Sequence, residues 1–208
     1  MSTSDSWYPQ KLGVSPQGSG AYDFMLTHIP RETAFHYAEF GIYEGSTAFY
    51  IAHLYPRATL HLFDFDDTLA RAKDRFKILP NQVHYYGNTQ KYCDSYNWPL
   101  MKLIEAQNGN YLFDYCFLDG AHTIAVDALT YFLCDKLLRP GGFMDLDDYG
   151  WRQRGSSLDP LRIPITADLY TDEQIDAYQV KMLVDIIVKR DARYKEMLPN
   201  RIFRKLTA

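Results

Sequence analysis

Cysteine is scarce. The 208-residue chain has three, Cys93, Cys116 and Cys134, with no CxxC pair and an odd count. This excludes a zinc finger and a disulfide scaffold and fits reduced thiols in a cytoplasmic protein. Long apolar runs are missing too, and none approaches the roughly 20 residues of a membrane helix. The opening segment MSTSDSWYPQ lacks the basic start and apolar stretch of a secretory leader. Cations are not in excess: 22 Lys and Arg against 26 Asp and Glu give a net charge of −4. General attraction to nucleic acid or to a membrane surface therefore has no support. No internal repeat is present. What the chain does have is aromatic residues, with 17 Tyr, 12 Phe and 3 Trp. Some of these fill a core, and hydroxylated rings also suit the walls of a pocket for a small, partly polar ligand.

With 47% apolar and 23% charged residues, the composition is that of a globular protein. At about 150 residues per domain the length predicts one domain over residues 1–208. Residues 1–30 read as a polar N-terminal arm or lid, with a short helix over residues 21–29 ended by Pro30. Strands and helices then alternate. Strands are predicted over residues 34–40, 58–65, 82–86, 112–118 and 143–147. Helices are predicted over residues 46–55, 67–79, 98–107 and 124–138, with Asp67 as a candidate cap and Pro140-Gly141-Gly142 as a stop. Residues 150–170 read as a variable loop. Thr171 to Gln174 have capping-box spacing and open a helix predicted to bury Ile175, Tyr178, Met182 and Ile186. The end reads as a hairpin turning at Pro199-Asn200. This order predicts a doubly wound, Rossmann-like α/β sheet, mostly parallel with an antiparallel C-terminal hairpin and helices on both faces. Ligands in such sheets bind beyond the carboxyl ends of the strands.

The residues at those ends carry chemistry. After the first strand, Gly41 and Gly45 permit a sharp turn, and the helix beginning at Ser46-Thr47 offers free N–H groups to an anion. Three residues separate the glycines, so the turn is neither G-x-G-x-x-G nor a P-loop. The second strand ends in Asp64, placed to accept from ribose hydroxyls, while Asp66 or Asp67 suits a helix cap and a ligand contact equally. Asp119 follows the fourth strand and Asp147-Asp148 the fifth. Neighbouring strands lie about 4.8 Å apart, so these carboxylates can converge on one hard cation such as Mg²⁺, Mn²⁺ or Ca²⁺. Capping of loops and of the next helix is the alternative. His122, three residues beyond Asp119, is placed to accept a proton near neutral pH.

Taken together, these motifs resemble class I S-adenosylmethionine-dependent methyltransferases. The similarity is nearest to small cation-dependent O-methyltransferases, both the catechol type and those acting on sugars and natural products. It covers residues 34–149. The segment AEFGIYEGSTA resembles the first cofactor motif of the family. The resemblance implies that Glu39, Gly41, Tyr43 and Gly45 line the methionine portion of the cofactor, with Ser46 or Thr47 near its carboxylate. It implies Asp64 at the ribose, Asn88 and Thr89 at the adenine, and Asp119 beside the cofactor and the reacting groups. Asp119, Asp147 and Asp148 fall on the metal-ligand positions, and His122 stands where the catechol enzymes carry a lysine base. Residues 150–170 do not match closely.

The implied reaction is an in-line displacement at a sulfonium methyl by the hydroxyl of a small molecule. His122 removes the proton and a divalent cation lowers the pKa of the hydroxyl. With no basic surface, nucleic acid and membrane are not expected partners. The arm and the 150–170 loop are the segments able to exchange between subunits of a homodimer. Three alternatives remain open: a metal-independent N- or O-methyltransferase, a non-catalytic cofactor-binding or regulatory protein, and, disfavoured by the glycine spacing, a nicotinamide dehydrogenase.

Overall fold

The structure, a computed structural model, describes residues 19–208. The expectation for the arm before residue 19, including Trp7 and Tyr8, lies outside the described residues. Seven strands form one sheet in the order β3-β2-β1-β4-β5-β7-β6. They are β1 (His36–Phe40), β2 (Thr59–Phe65), β3 (Val83–Asn88), β4 (Phe113–Leu118), β5 (Leu138–Leu146), β6 (Tyr194–Leu198) and β7 (Ile202–Lys205). The first five run parallel, and β7 pairs antiparallel with both β5 and β6. The predicted sheet class and the closing hairpin are both present.

Side chains alternate across the sheet, and each face is covered. Tyr37, Leu60, Leu62, Tyr115 and Phe117 pack under α1 (Ser19–His28), α2 (Ser46–Leu54) and α3 (Asp66–Phe76). Ala38, Phe40, Phe63, Cys116 and Leu118 pack under α4 (Asn97–Gln107), α5 (Leu129–Leu137) and, further along the chain, α8 (Gln179–Ile186). The short helices α6 (Ile165–Leu169) and α7 (Asp172–Asp176) lie between β5 and α8. Among the described residues no helix is long and apolar enough to cross a membrane.

Three local expectations are corrected. Asp67 is not a cap: α3 begins at Asp66 without a side-chain cap, and Asp67 pairs instead with Arg71 at 3.0 Å. The capping box at Thr171 and Gln174 is formed, but its helix stops at Asp176. Ala177 is extended, and Gln179 bridges the break, donating to the Gln174 carbonyl at 3.0 Å and accepting from the Ile124 N–H at 2.9 Å. The break changes the helical register. Val180, Leu183 and Val184 are buried, whereas Tyr178, Met182 and Ile186 are left exposed. The 150–170 segment, read as loop, contains α6.

At the opposite end of the sheet from the strand-end acids, His61 is buried between His36 and Tyr86. Its Nε2 lies 2.9 Å from His36 Nδ1 and its Nδ1 lies 3.1 Å from the Tyr86 hydroxyl. Burial, reinforced by His36 and His84, pushes the pKa of His61 down to about 3. Between that value and the unfolded value near 6.5, the unfolded chain binds a proton that the folded one refuses, so stability falls as the pH drops. At pH 5 this costs about 2 kcal/mol relative to pH 8, at about 1.4 kcal/mol per unit. Urea unfolding at the two pH values is expected to show the His61→Gln variant losing less stability on acidification than the parent, by roughly that amount.

Candidate active site

Register places the strand ends side by side. Phe40 pairs with Leu118, and Leu118 with Leu146. The ladder runs one residue further, with Asp119 N–H donating to the Phe40 carbonyl at 2.9 Å and Asp147 N–H to the Leu118 carbonyl at 3.0 Å. A cavity of about 810 Å³ opens at these ends. That volume suits a nucleoside-sized ligand with room beside it.

The turn after β1 forms one wall. Gly41 has φ +87°, and a Cβ there would come within 2.4 Å of the Gly120 Cα. Only glycine lets the β1 turn pack against the loop after β4. Asp64 fixes the turn from the other side. Its carboxylate accepts from the N–H groups of Ile42 (2.7 Å), Tyr43 (3.0 Å) and Phe65 (2.6 Å). A carboxylate has about four acceptor sites, so capacity for a ribose hydroxyl remains. Arg75 ties the same turn to α3, donating to the Glu44 carbonyl and to Ser46 Oγ, both at 2.9 Å.

Glu39, Gly41, Tyr43, Ser46, Thr47, Asp64, Asn88 and Asp119 all line the one cavity. Two residues expected there do not. Gly45 caps α2 with φ +72° and faces the Phe76 ring. Thr89 is exposed, and its N–H and hydroxyl both donate to Asp94 at 2.7 Å. Phe65, Thr68, Asp94, Ser95 and Tyr96 line the cavity without having been anticipated. Phe65 had a legible signal, an aromatic ring immediately after the ribose-type acid. The Asn88 side-chain oxygen is buried without a protein partner.

The metal-type acids divide. Asp119, His122 and Asp148 each bring one ligand atom to within 4.8 Å of the others. Asp147 is not in that group, which corrects the expected ligand set. It shares the sheet face of Asp145, two residues earlier, and both pair with Arg201, at 3.1 and 3.0 Å. Asp148 has φ +58°, which turns its carboxylate toward His122, with Oδ2 at 3.3 Å from Nε2.

The charges set the electrostatics. Burial, then Asp147, Glu39 and Asp148, push Asp119 up to about 9. Burial is also the main cause that lifts Glu39 to about 8, with the Tyr37 hydroxyl donating to it at 2.8 Å. Burial lowers His122 and outweighs the opposing pull of Asp148 and Asp147, so the ring is a neutral acceptor near pH 7. A bound cation would reverse the upward shift of the carboxylates.

The His122 loop has its own anchor. Asp127 is buried, and its carboxylate accepts from the Thr123 N–H at 3.1 Å. It belongs to a π-helical turn, Ile124–Ala128, at the start of α5. At its end Val126 O accepts from the Leu129 N–H and also from Thr130 Oγ1 (2.9 Å) and Asn97 Nδ2 (3.3 Å). His122 itself has φ +53°, a conformation that needs such support.

The sheet order and the paired C-terminal strands define the class: the chain has the fold of class I S-adenosylmethionine-dependent methyltransferases. The MycE methyltransferase of the mycinamycin biosynthetic pathway, in complex with Mg and SAH (S-adenosylhomocysteine), matches all of this chain and 55% of its own, with a TM-score of 0.62 and 16% identity. This chain thus spans about half the length of that protein. An O-methyltransferase from Bacillus cereus in complex with SAH matches 100% of this chain and 92% of its own, with a TM-score of 0.61 and 14% identity. A putative rRNA-methylase from Clostridium thermocellum matches 93% and 97%, with a TM-score of 0.61 and 10% identity. No protein-family model matches the sequence, and no curated protein matches it.

Replacing Asp127 by Ala would strand the buried Thr123 N–H. The expected cost is about 2 kcal/mol, or roughly 4–8 °C in Tm for a domain of this size, measured by calorimetric unfolding of Asp127→Ala beside the parent.

Proposed function

We propose that this protein is an S-adenosylmethionine-dependent methyltransferase acting on a hydroxyl of a small molecule, with a divalent cation. One observation carries the reading. A single cavity runs from Phe65, Asn88 and Asp64, suited to a nucleoside, to Asp119 and His122, suited to proton transfer. The observed residues fit the cofactor: Asp64 retains acceptor capacity for ribose, Asn88 offers its unpartnered oxygen to adenine, and acids stand near the place for a sulfonium. When bound, the cofactor supplies an electrophilic methyl group that needs no activation by the protein.

The chain then has two tasks. It holds the acceptor oxygen in line, which is worth several kcal/mol of the barrier. It also removes the proton, which the His122 ring accepts while Asp148, 3.3 Å from Nε2, stabilises the resulting imidazolium. Asp119 and Asp148 would hold the cation, hard oxygen ligands of the type that Mg²⁺ prefers. The cation would supply Lewis acidity toward the acceptor hydroxyl. Asp147 acts at one remove, tied to Arg201.

A second reading has its own support. His122 Nε2 lies 3.3 Å from Asp148 Oδ2, and a His–carboxylate dyad can serve as base alone. A chelator separates the two: activity lost in EDTA and regained with Mg²⁺ supports the cation, whereas full activity after exhaustive chelation supports the dyad.

The parent reading predicts micromolar binding of S-adenosylhomocysteine by titration calorimetry. Asp64→Ala is expected to weaken it at least tenfold, about 1.4 kcal/mol. Binding of NAD with none of S-adenosylhomocysteine would sink the proposal.

A further inference from the structure

We propose that the outer face of the helix layer formed by α4, α5 and α8 is the contact surface of a symmetric homodimer, with α5 at its centre meeting its own copy.

The middle helix carries the first argument. α5 and the π turn before it run from Ile124 to Leu137, and this stretch holds only three charged residues. Asp127 is buried and accepts from the Thr123 N–H. Asp135 is buried against Arg193 and Lys205, at 2.8 and 3.1 Å. The positions left exposed are Ile124, Ala125, Leu129, Phe132 and Lys136. The last four fall on one stripe at helical spacing. A helix lying on a sheet ordinarily keeps polar residues on its outer side, and one that is apolar all round is covered all round. Here charge enters the outer stripe only at Lys136, in the last turn.

The second argument is what flanks that stripe. α5 lies between α4 and α8. Thr130 Oγ1 donates to Asn97 Oδ1 of α4 at 2.8 Å, and the Ile124 N–H donates to Gln179 Oε1 of α8 at 2.9 Å. Each neighbour adds two large apolar residues, Trp98 and Met101 from α4, Met182 and Ile186 from α8. With Leu129 and Phe132, these six side chains are 41–65% exposed. Half-exposed side chains of this size show on the order of 100 Å² each, so the layer presents roughly 600 Å² of apolar surface. A single chain rarely leaves more than about 300–600 Å² in one such patch. A stable interface buries about 800 Å² per partner, which this patch reaches once a polar margin is added. Exposed Lys102 and Glu105 on α4, Lys136 on α5 and Lys181 on α8 supply that margin.

The third argument selects the occupant. A centre without exposed charge offers nothing to a partner chosen by charge, but it matches itself. A two-fold axis through α5 lays apolar stripe on apolar stripe, and one patch serves both chains. The contact also backs onto the site, because the π turn that opens α5 supplies Asp127, which holds Thr123 beside His122.

Sedimentation equilibrium of the full chain tests the proposal. At tens of micromolar the parent is expected to sediment with twice the mass of the chain. Phe132→Glu and Met182→Glu, on different helices, are each expected to raise the dimer dissociation constant at least a hundredfold, because each dimer would bury two unpaired carboxylates. Both side chains are half exposed, so circular dichroism of the folded chain should stay unchanged, and if one variant unfolds the other gives the same readout. Leu161→Glu, at an exposed leucine of the 150–170 segment, should leave the dimer intact. A monomeric parent overturns the proposal, whatever else then covers the face. So does a dimer that survives both substitutions, or one that Leu161→Glu dissolves.

Discussion

Carboxylates crowd the ends of three adjacent strands, and the division of that charge organises the site. Glu39 and Asp145 each sit level with Phe117, and Asp119 and Asp147 come one step further along. Left together these groups would repel and take up protons. What the fold separates is Asp147 from Asp148. Arg201 reaches in from the C-terminal hairpin and pairs with Asp145 and Asp147. Asp148 turns to His122. Asp119 stands at both places, lining one small pocket with Asp145, Asp147 and Arg201 and grouping with His122 and Asp148.

That separation depends on backbone placed where side chains rarely allow it. Gly41 is pressed so closely on Gly120 that the β1 turn and the β4 loop behave as one unit. Tyr43, His122 and Asp148 all have positive φ and all lie at the cavity or against it. The two other non-glycine residues with positive φ among those described, Asn108 and Asn200, lie at a helix end and a hairpin turn, where asparagine is at home. Strain at the site is held by buried anchors, Asp64 under the first turn and Asp127 under the His122 loop.

Much of this was legible in the sequence, because it is local. The alternation of strand and helix, the Gly41–Gly45 turn and the acids at the strand ends are set by spacing within a few residues. What escaped depends on distant partners. Asp147 and Asp148 are neighbours in sequence, and their different roles are set by Arg201, 54 residues beyond Asp147, and by a positive φ at Asp148. The helix after Thr171 carried a valid start signal, but its break at Ala177 depends on Gln179 meeting Ile124 across the fold. The face expected to be buried at Tyr178, Met182 and Ile186 was therefore turned outward. Asp127 was passed over as a helix residue because its role requires a π turn, which has no local signature.

The two ends of the cavity are specified differently. One is a product of the sheet, whose parallel strands bring Asp64, Asn88 and the glycine turn together at their carboxyl ends. The other is completed by Leu158, in the segment after β5. Solved structures with this fold range from an enzyme complexed with mycinamycin VI to a putative rRNA-methylase, so the sheet alone leaves the acceptor open. In this chain the loop after β5 turns Arg152 and Arg154 back onto Tyr178, Asp172 and Asp176. The same contacts hold the loop where Leu158 lines the cavity and the Trp151 ring centre stands 5.0 Å from that of His122.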